Sequence, residues 1–289
     1  MTASFAARDP YTIPLPGRGT LRLGDRCLVM GILNVTPDSF ASLAPRSPAD
    51  AAAAALRMAA DGADLIVIGG ESTRPGADPV SADEELARVL PVLRALEGRL
   101  AIPISIDTYK AGVAREALAA GAVMVNDVSG LGRDPALAQV VAERGAALIL
   151  MHARGSSKTM YAEAEYGEVI ADVAEELRGS IRVAVAAGVP LERLIVDPGV
   201  GFAKRPSHSY GVLARLPELA AALDRPLLVG PSRKSFLREA LGGRPAPERD
   251  WGTAAAVTAA VLGGAHIVRV HAVAEMAQVV RVAEEIRKA

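Results

Sequence analysis

Short, largely unbroken apolar runs recur along this chain, and each ends at or leads into polar residues. They span 28–33, 65–69, 103–107, 122–126, 146–151, 194–197, 226–230 and 266–270. Each is too short for an ordinary helix. Their lack of polar alternation predicts strands covered on both faces, as in a parallel sheet. The segments between them carry a helical period. Leu86, Val89, Leu90, Leu93 and Leu96 follow the three-and-four spacing of one helical face. Ser81 and Glu84 offer a capping box at the start of that helix, and Pro91 inside it predicts a kink or a split. Asp134 followed by Pro135 marks another helix start. Further helices are expected over 49–60, 111–120, 170–187 and 273–287.

Eight strands alternating with eight helical segments predict an α/β fold, a (β/α)8 TIM barrel. A doubly wound open sheet is the rival, but no G-x-G-x-x-G follows the first run. Residues 1–26, rich in Pro, Gly and Arg, are expected to form an irregular or hairpin-like extension packed on the barrel. Residues 27–289 are then a single barrel domain.

Composition narrows the partners. With 289 residues and 51% hydrophobic content, the chain can bury a sizeable core. Its 32 basic and 33 acidic residues leave a formal charge of −1, which gives no support for nucleic acid or an anionic membrane as partner. The apolar stretch Ala254–Val268 reads as a buried helix and strand rather than a membrane span. Cys27 is the single cysteine, so no internal disulfide can form. The N-terminus lacks a core of signal-peptide length. Cytoplasm is the expected setting.

In such barrels the active site lies at the C-terminal ends of the strands. Here those ends carry Asn34; Thr73 and Arg74; Asp107; Asn126 and Asp127; His152 and Arg154; Asp197; Ser232 to Ser235; and Arg269 with His271. One strand-end Asp is as readily a helix cap as a ligand, Arg74 alone could be a surface ion pair, and Lys234 could be a helix-terminal charge. Eight polar ends converging on one mouth predict a binding site. Arg74, Arg233, Lys234, Arg269 and His271 suit a phosphate or pyrophosphate. Asp107, Asn126 and Asp197 suit a flat heterocycle with N–H donors along its edge. The four histidines are scattered, which gives no zinc-ligand spacing. A single hard metal bridging phosphate oxygens through Asn34 is compatible with the residues.

The segments MGILNVTPDSF (30–40), GGESTRPGA (69–77), SIDTYK (105–110), VNDVSG (125–130), MHARGSSKTM (151–160), VDPGVGFAK (196–204), GPSRKSF (230–236) and VRVH (268–271) together resemble dihydropteroate synthase, in family order across nearly the whole barrel. The resemblance implies a Mg²⁺-dependent transferase of folate biosynthesis, a sulfonamide target and a homodimer. It would join 6-hydroxymethyl-7,8-dihydropterin diphosphate to p-aminobenzoate and release pyrophosphate. By the same resemblance, Asp107, Asn126, Asp197 and Lys234 bind pterin, and Asp107 stabilises a pterin methylene cation. Asn34, Thr73, Arg74, Arg269 and His271 hold the diphosphate, Asn34 through the metal. Thr73, Arg74 and Ser235 contact p-aminobenzoate, and Thr36 to Phe40 begin a lid.

The chain departs from the family pattern at four places. Ala41-Ser42-Leu43-Ala44 replaces Ser-Asp-Gly-Gly in the lid, and Val67 and Ala272 each stand where an Asp is usual. Ser209 replaces an Asn. These departures leave open a paralogue that binds pterin with weak or no synthase activity. A pterin-dependent methyltransferase is a further alternative, against which the diphosphate-binding set argues.

Overall fold

The computed structural model describes residue 5 and residues 7–36 and 47–289. Its centre is an eight-stranded parallel sheet. The strands are β3 (Leu28–Asn34), β4 (Leu65–Gly69), β5 (Ile104–Asp107), β6 (Met124–Asp127), β7 (Ala147–Met151), β8 (Leu194–Asp197), β9 (Leu228–Val229) and β10 (Ile267–Val270). They pair in the order β8-β7-β6-β5-β4-β3-β10-β9. A parallel bridge between Val196 and Leu227 joins the two ends, so the sheet closes into a barrel. The run 226–230 contributes only two residues of regular strand. Pro226 has no N–H to give, and instead its carbonyl accepts from Val196 N at 3.0 Å.

Alternation along each strand separates two cores. Met30, Leu65, Val67, Met124, Ile149, Ile195, Leu228 and Ile267 fill the barrel interior. Val29, Ile66, Ile68, Ile106, Val125, Leu148, Val196 and Val268 pack outward beneath the helices. Continuing the inward parity by two residues brings Asn34, Asp107, Asn126, Asp197 and Arg269 to the upper interior. The same alternation that builds the core therefore aims the polar strand ends into the mouth.

The outer layer comprises α1 (Pro48–Ala60), α2 (Ala82–Leu96), α3 (Ala111–Ala119), α4 (Ala136–Arg144), α5 (Val169–Ala186), α6 (Pro206–Ala214), α7 (Leu216–Leu223), α8 (Asp250–Leu262) and α9 (Val273–Lys288). Two short helices stand between β8 and β9 where the eightfold pattern needs one. The Ser81 hydroxyl accepts from Glu84 N at 3.1 Å, capping α2 as the sequence predicts. Pro91 neither splits nor ends α2. Val89, Val92, Leu93 and Leu96 are buried on both sides of it, and their packing offsets the lost helical bond, which alone costs about 3 kcal/mol. The carboxylate of Asp134 caps two helices, accepting from Ala136 N on α4 and from Ala111 N at the start of α3.

The N-terminal segment forms an antiparallel hairpin of β1 (Tyr11–Leu15) and β2 (Gly19–Leu23). Its Ile13, Leu15 and Leu23 join the interior cluster and close the bottom of the barrel. Among the described residues, no helix is long and apolar enough to cross a membrane.

Candidate active site

Sheet register sets Asn34, Gly69, Asp107 and Asn126 side by side on four adjacent strands. Asp107 is the hub. Its Oδ1 accepts from Asn126 Nδ2 at 2.9 Å, and its Oδ2 accepts from Arg269 Nη2 at 2.6 Å. Both Asp107 and Arg269 are 9% exposed in their side chains, so this pair sits in a poorly solvated mouth where charges act strongly. The pairing also accounts for Ala272. Arg269 takes its carboxylate from across the barrel rather than from the position following His271.

Asp197 lies at the end of β8 and is fully buried. Its Oδ1 accepts from Gly199 N at 2.7 Å, while Oδ2 has no protein partner among the described residues. Burial pushes its pKa up, and the nearby Lys234 ammonium and the Gly199 N–H pull it back toward the ionised form. Asn126 Oδ1 and Arg269 Nε are likewise buried without a protein partner. Buried unpaired polar atoms cost free energy unless something else satisfies them. These three converge on one mouth, two acceptors and a donor. That is the donor and acceptor pattern of a site for a polar ligand.

The turn after β8 needs glycine. At Gly199, φ is +66°, and a Cβ there would sit 2.0 Å from His152 O. Ser209 Oγ accepts from Gly201 N at 3.1 Å, so the residue that departs from the family pattern anchors this same turn. Lys234 reaches over the turn, donating from Nζ to Val200 O at 2.7 Å and lying 4.4 Å from the centroid of the Phe202 ring. Desolvation pulls the Lys234 pKa down to about 7, and Asp197 opposes that shift.

His271 and Arg233 each have a partner that the sequence did not show. Ser232 Oγ accepts from His271 N at 3.1 Å and lies 2.9 Å from His271 Nδ1. This pair orients the imidazole, and the tautomer sets which of the two atoms donates along the Oγ–Nδ1 contact. Burial, then repulsion from Arg233, Arg269 and Arg74, pulls the His271 pKa down to about 3. Both effects disfavour the charged form of His271. Arg233 makes two 2.7 Å bonds to Asp250 and holds positive φ. Arg249 donates to the carbonyls of Arg233 and Lys234. This clamp fixes the loop that carries Lys234, and it gives Arg233 a carboxylate partner within the same loop region.

The loop after β4 is held from two sides. Lys110 bridges Glu71 and Glu85, and Arg88 Nη1 donates to Gly70 O at 2.7 Å. From the segment after β7, Ser157 O accepts from Gly76 N at 2.9 Å, and Ser157 Oγ donates to Ala77 O at 2.8 Å. Thr73 lines a cleft of about 270 Å³ that also touches Ser129, Ser157 and Phe202. Arg74 is exposed. Ser235 is exposed as well, and the Tyr161 hydroxyl lies 2.8 Å from its Oγ. Asn34 is half-buried at its strand end. Beyond Thr36, the expected lid and the Ala41–Ala44 departure fall outside the described residues. Val67 lies in the apolar interior cluster, below the mouth.

His152, which the sequence places among the strand ends, belongs instead to a buried network behind the mouth. Lys204 Nζ lies 2.7 Å from its Nδ1, and Glu176 lies 3.0 Å from its Nε2. Arg154 pairs with the same Glu176. Asp127 braces its own turn, accepting from Ser129 N, Ser129 Oγ and Leu131 N. The sequence reading assigned no role to Ser232, Phe202 or Lys204. All three lie inside or beside quoted motifs, but their contacts become visible only in three dimensions.

The family described as pterin binding enzyme matches residues 30–271. A dihydropteroate synthase of Synechocystis is 47% identical over 280 residues, covering 96% of each chain. The crystal structure of Yersinia pestis dihydropteroate synthase in a sulfonamide drug complex superposes with a TM-score of 0.91 at 42% identity, covering 96% of this chain and all of that one. The Burkholderia cenocepacia dihydropteroate synthase complexed with 7,8-dihydropteroate gives 0.86 at 45% identity, covering 96% and 97%.

Proposed function

Because the chain belongs to the pterin binding enzyme family, among its dihydropteroate synthases, we propose that it joins 6-hydroxymethyl-7,8-dihydropterin diphosphate to p-aminobenzoate, releasing pyrophosphate. The observation that carries this reading is the set of buried, unmatched atoms at the mouth, Asn126 Oδ1 and Asp197 Oδ2, beside the donors Lys234, Arg269 and His271. A pterin presents parallel N–H donors along one edge and ring acceptors along another. Asp197 and Asn126 accept from the first, and Lys234 donates to the second.

Arg269 and His271 hold the diphosphate, with Thr73 and Arg74 approaching from the loop after β4. As pyrophosphate departs, positive charge develops on the pterin methylene. The Asp107 carboxylate, already oriented by Asn126 and Arg269, stabilises that charge without reorganising. The arylamine of p-aminobenzoate then attacks, with its carboxylate toward Ser235 and Arg74. Burial of the mouth limits capture of the cation by water.

The donor set fits a magnesium ion. Asn34 offers one hard amide oxygen, and Mg²⁺ ordinarily takes few protein ligands beside substrate phosphates and waters. When bound, the ion would neutralise charge on the departing diphosphate. The same reading includes a homodimer, and the cytoplasm as its setting. Incubation of the purified protein with Mg²⁺ and both substrates tests the activity. 7,8-Dihydropteroate, detected by mass spectrometry, should form only when both are present. Binding of both substrates without product would favour the paralogue that only binds pterin, the reading motivated by the altered residues 41–44.

A further inference from the structure

The hydroxyls of Tyr161 and Ser235 lie 2.8 Å apart, 74 residues apart in sequence. Tyr161 belongs to the segment after β7, and Ser235 to the loop after β9. Neither is shut away from solvent, and Tyr161 is 42% exposed. The segment carrying Tyr161 is not a loose strap. Met160 N and Ala162 N bond back to Ser156 O and Thr159 O at 2.9 Å, and Met160 is buried. The same segment grips the loop that carries Thr73 and Arg74, through Ser157 and through a 2.6 Å ion pair between Lys158 and Asp78. Tyr161 is thus held in place between the two loops that flank the second-substrate position.

Two adjacent hydroxyls form an incomplete pair. Only one O–H can point along their shared bond, so the other is always free to donate elsewhere. A carboxylate placed across them accepts from both, and it exchanges one neutral hydrogen bond for two charge-assisted ones of roughly twice the strength. A neutral or cationic group gains no such advantage. We infer that Tyr161 is a binding residue for the carboxylate of the arylamine substrate, sharing it with Ser235, and that the hydroxyl pair selects for that carboxylate. This rests on the reading above, in which Ser235 faces the p-aminobenzoate carboxylate.

The test is steady-state kinetics of Tyr161→Phe, which keeps the ring and its packing. The KM for p-aminobenzoate should rise about tenfold, the expected loss for a hydrogen bond to a charged group. The KM for the pterin diphosphate and kcat should be unchanged, and aniline, which lacks the carboxylate, should be used equally by both proteins. A hydroxyl that merely braced the two loops would move both KM values and kcat together, and would affect aniline as much as p-aminobenzoate. That result, or an unchanged KM for p-aminobenzoate, overturns the inference. Calorimetric titration of p-aminobenzoate into protein holding pterin and pyrophosphate reads the same difference without turnover. An inactive wild type that loses p-aminobenzoate affinity on Tyr161→Phe would sink the synthase reading and keep this one. Equal affinities would sink this one alone.

Discussion

The two ends of the barrel treat buried polarity in opposite ways. At the base, a buried ion pair and a buried histidine find their partners within the protein. Arg8 pairs with Glu284 at 2.9 Å, with side chains 1% and 8% exposed, and the same carboxylate oxygen accepts from Cys27 N at 2.7 Å. His266 accepts from Leu227 N through Nδ1, and through Nε2 it donates to Asp9 O. The hairpin then seals this end with Ile13, Leu15 and Leu23. At the mouth, Asn126 Oδ1, Asp197 Oδ2 and Arg269 Nε are buried without partners among the described residues. Two nitrogens of Arg8, Nε and Nη1, are also buried at the base without a partner among the described residues, beside the Nη2 that pairs with Glu284. Polar atoms at the base serve the fold. Those at the mouth await a ligand, and the fold bears their cost.

The sharpest way to break this contrast is at the base. Glu284→Ala strands the Arg8 guanidinium and the Cys27 N–H together, which should cost about 3 to 5 kcal/mol of stability. Urea unfolding should show that loss, while turnover per folded molecule stays at the wild-type level. A large fall in turnover with unchanged unfolding would contradict the division between the two ends.

Acid titration sharpens the comparison, because each end holds a histidine kept neutral. Burial pulls His266 at the base and His152 behind the mouth down to about 4 from an ordinary 6.5. The unfolded chain therefore takes up these protons near 6.5, and the folded chain only near 4. Their contribution is full above pH 6.5 and drains away as the pH falls toward 4. Each is on the order of 3 kcal/mol. Melting temperature should fall steadily across that window, and His266→Gln should flatten the slope. A melting temperature constant from pH 6.5 to 4 would refute the neutral assignment.

Much of this architecture was legible in the chain. Seven of the eight apolar runs match their strands to within two residues at either end, because strands covered on both faces are mostly apolar, while the run 226–230 holds only two residues of regular strand. Where the runs stop, the inward alternation continues into Asn34, Asp107, Asn126, Asp197 and Arg269. The polar row was therefore readable before its geometry was known. What the sequence could not supply were pairings between distant loops. Arg233 read as a rim cation, and its pairing with Asp250 is visible only in the fold; so are the contact of His271 with Ser232 and the neighbours that disfavour its charged form. Lys204 meeting His152, and Tyr161 meeting Ser235, are contacts that no local spacing announces. Pro91 failed as a helix breaker because the residues around it are buried on one face, which is tertiary information.

Asp197→Asn tests most directly whether the mouth is built for a ligand rather than for the fold. Thermal unfolding should be followed with and without the pterin diphosphate at about 100 times its wild-type Kd, where binding adds about 2.7 kcal/mol to the wild type. The account predicts that the ligand-free variant melts close to the wild type, and that the ligand no longer raises its melting temperature. A variant that loses stability without ligand, yet is stabilised by the pterin as fully as the wild type, would contradict it.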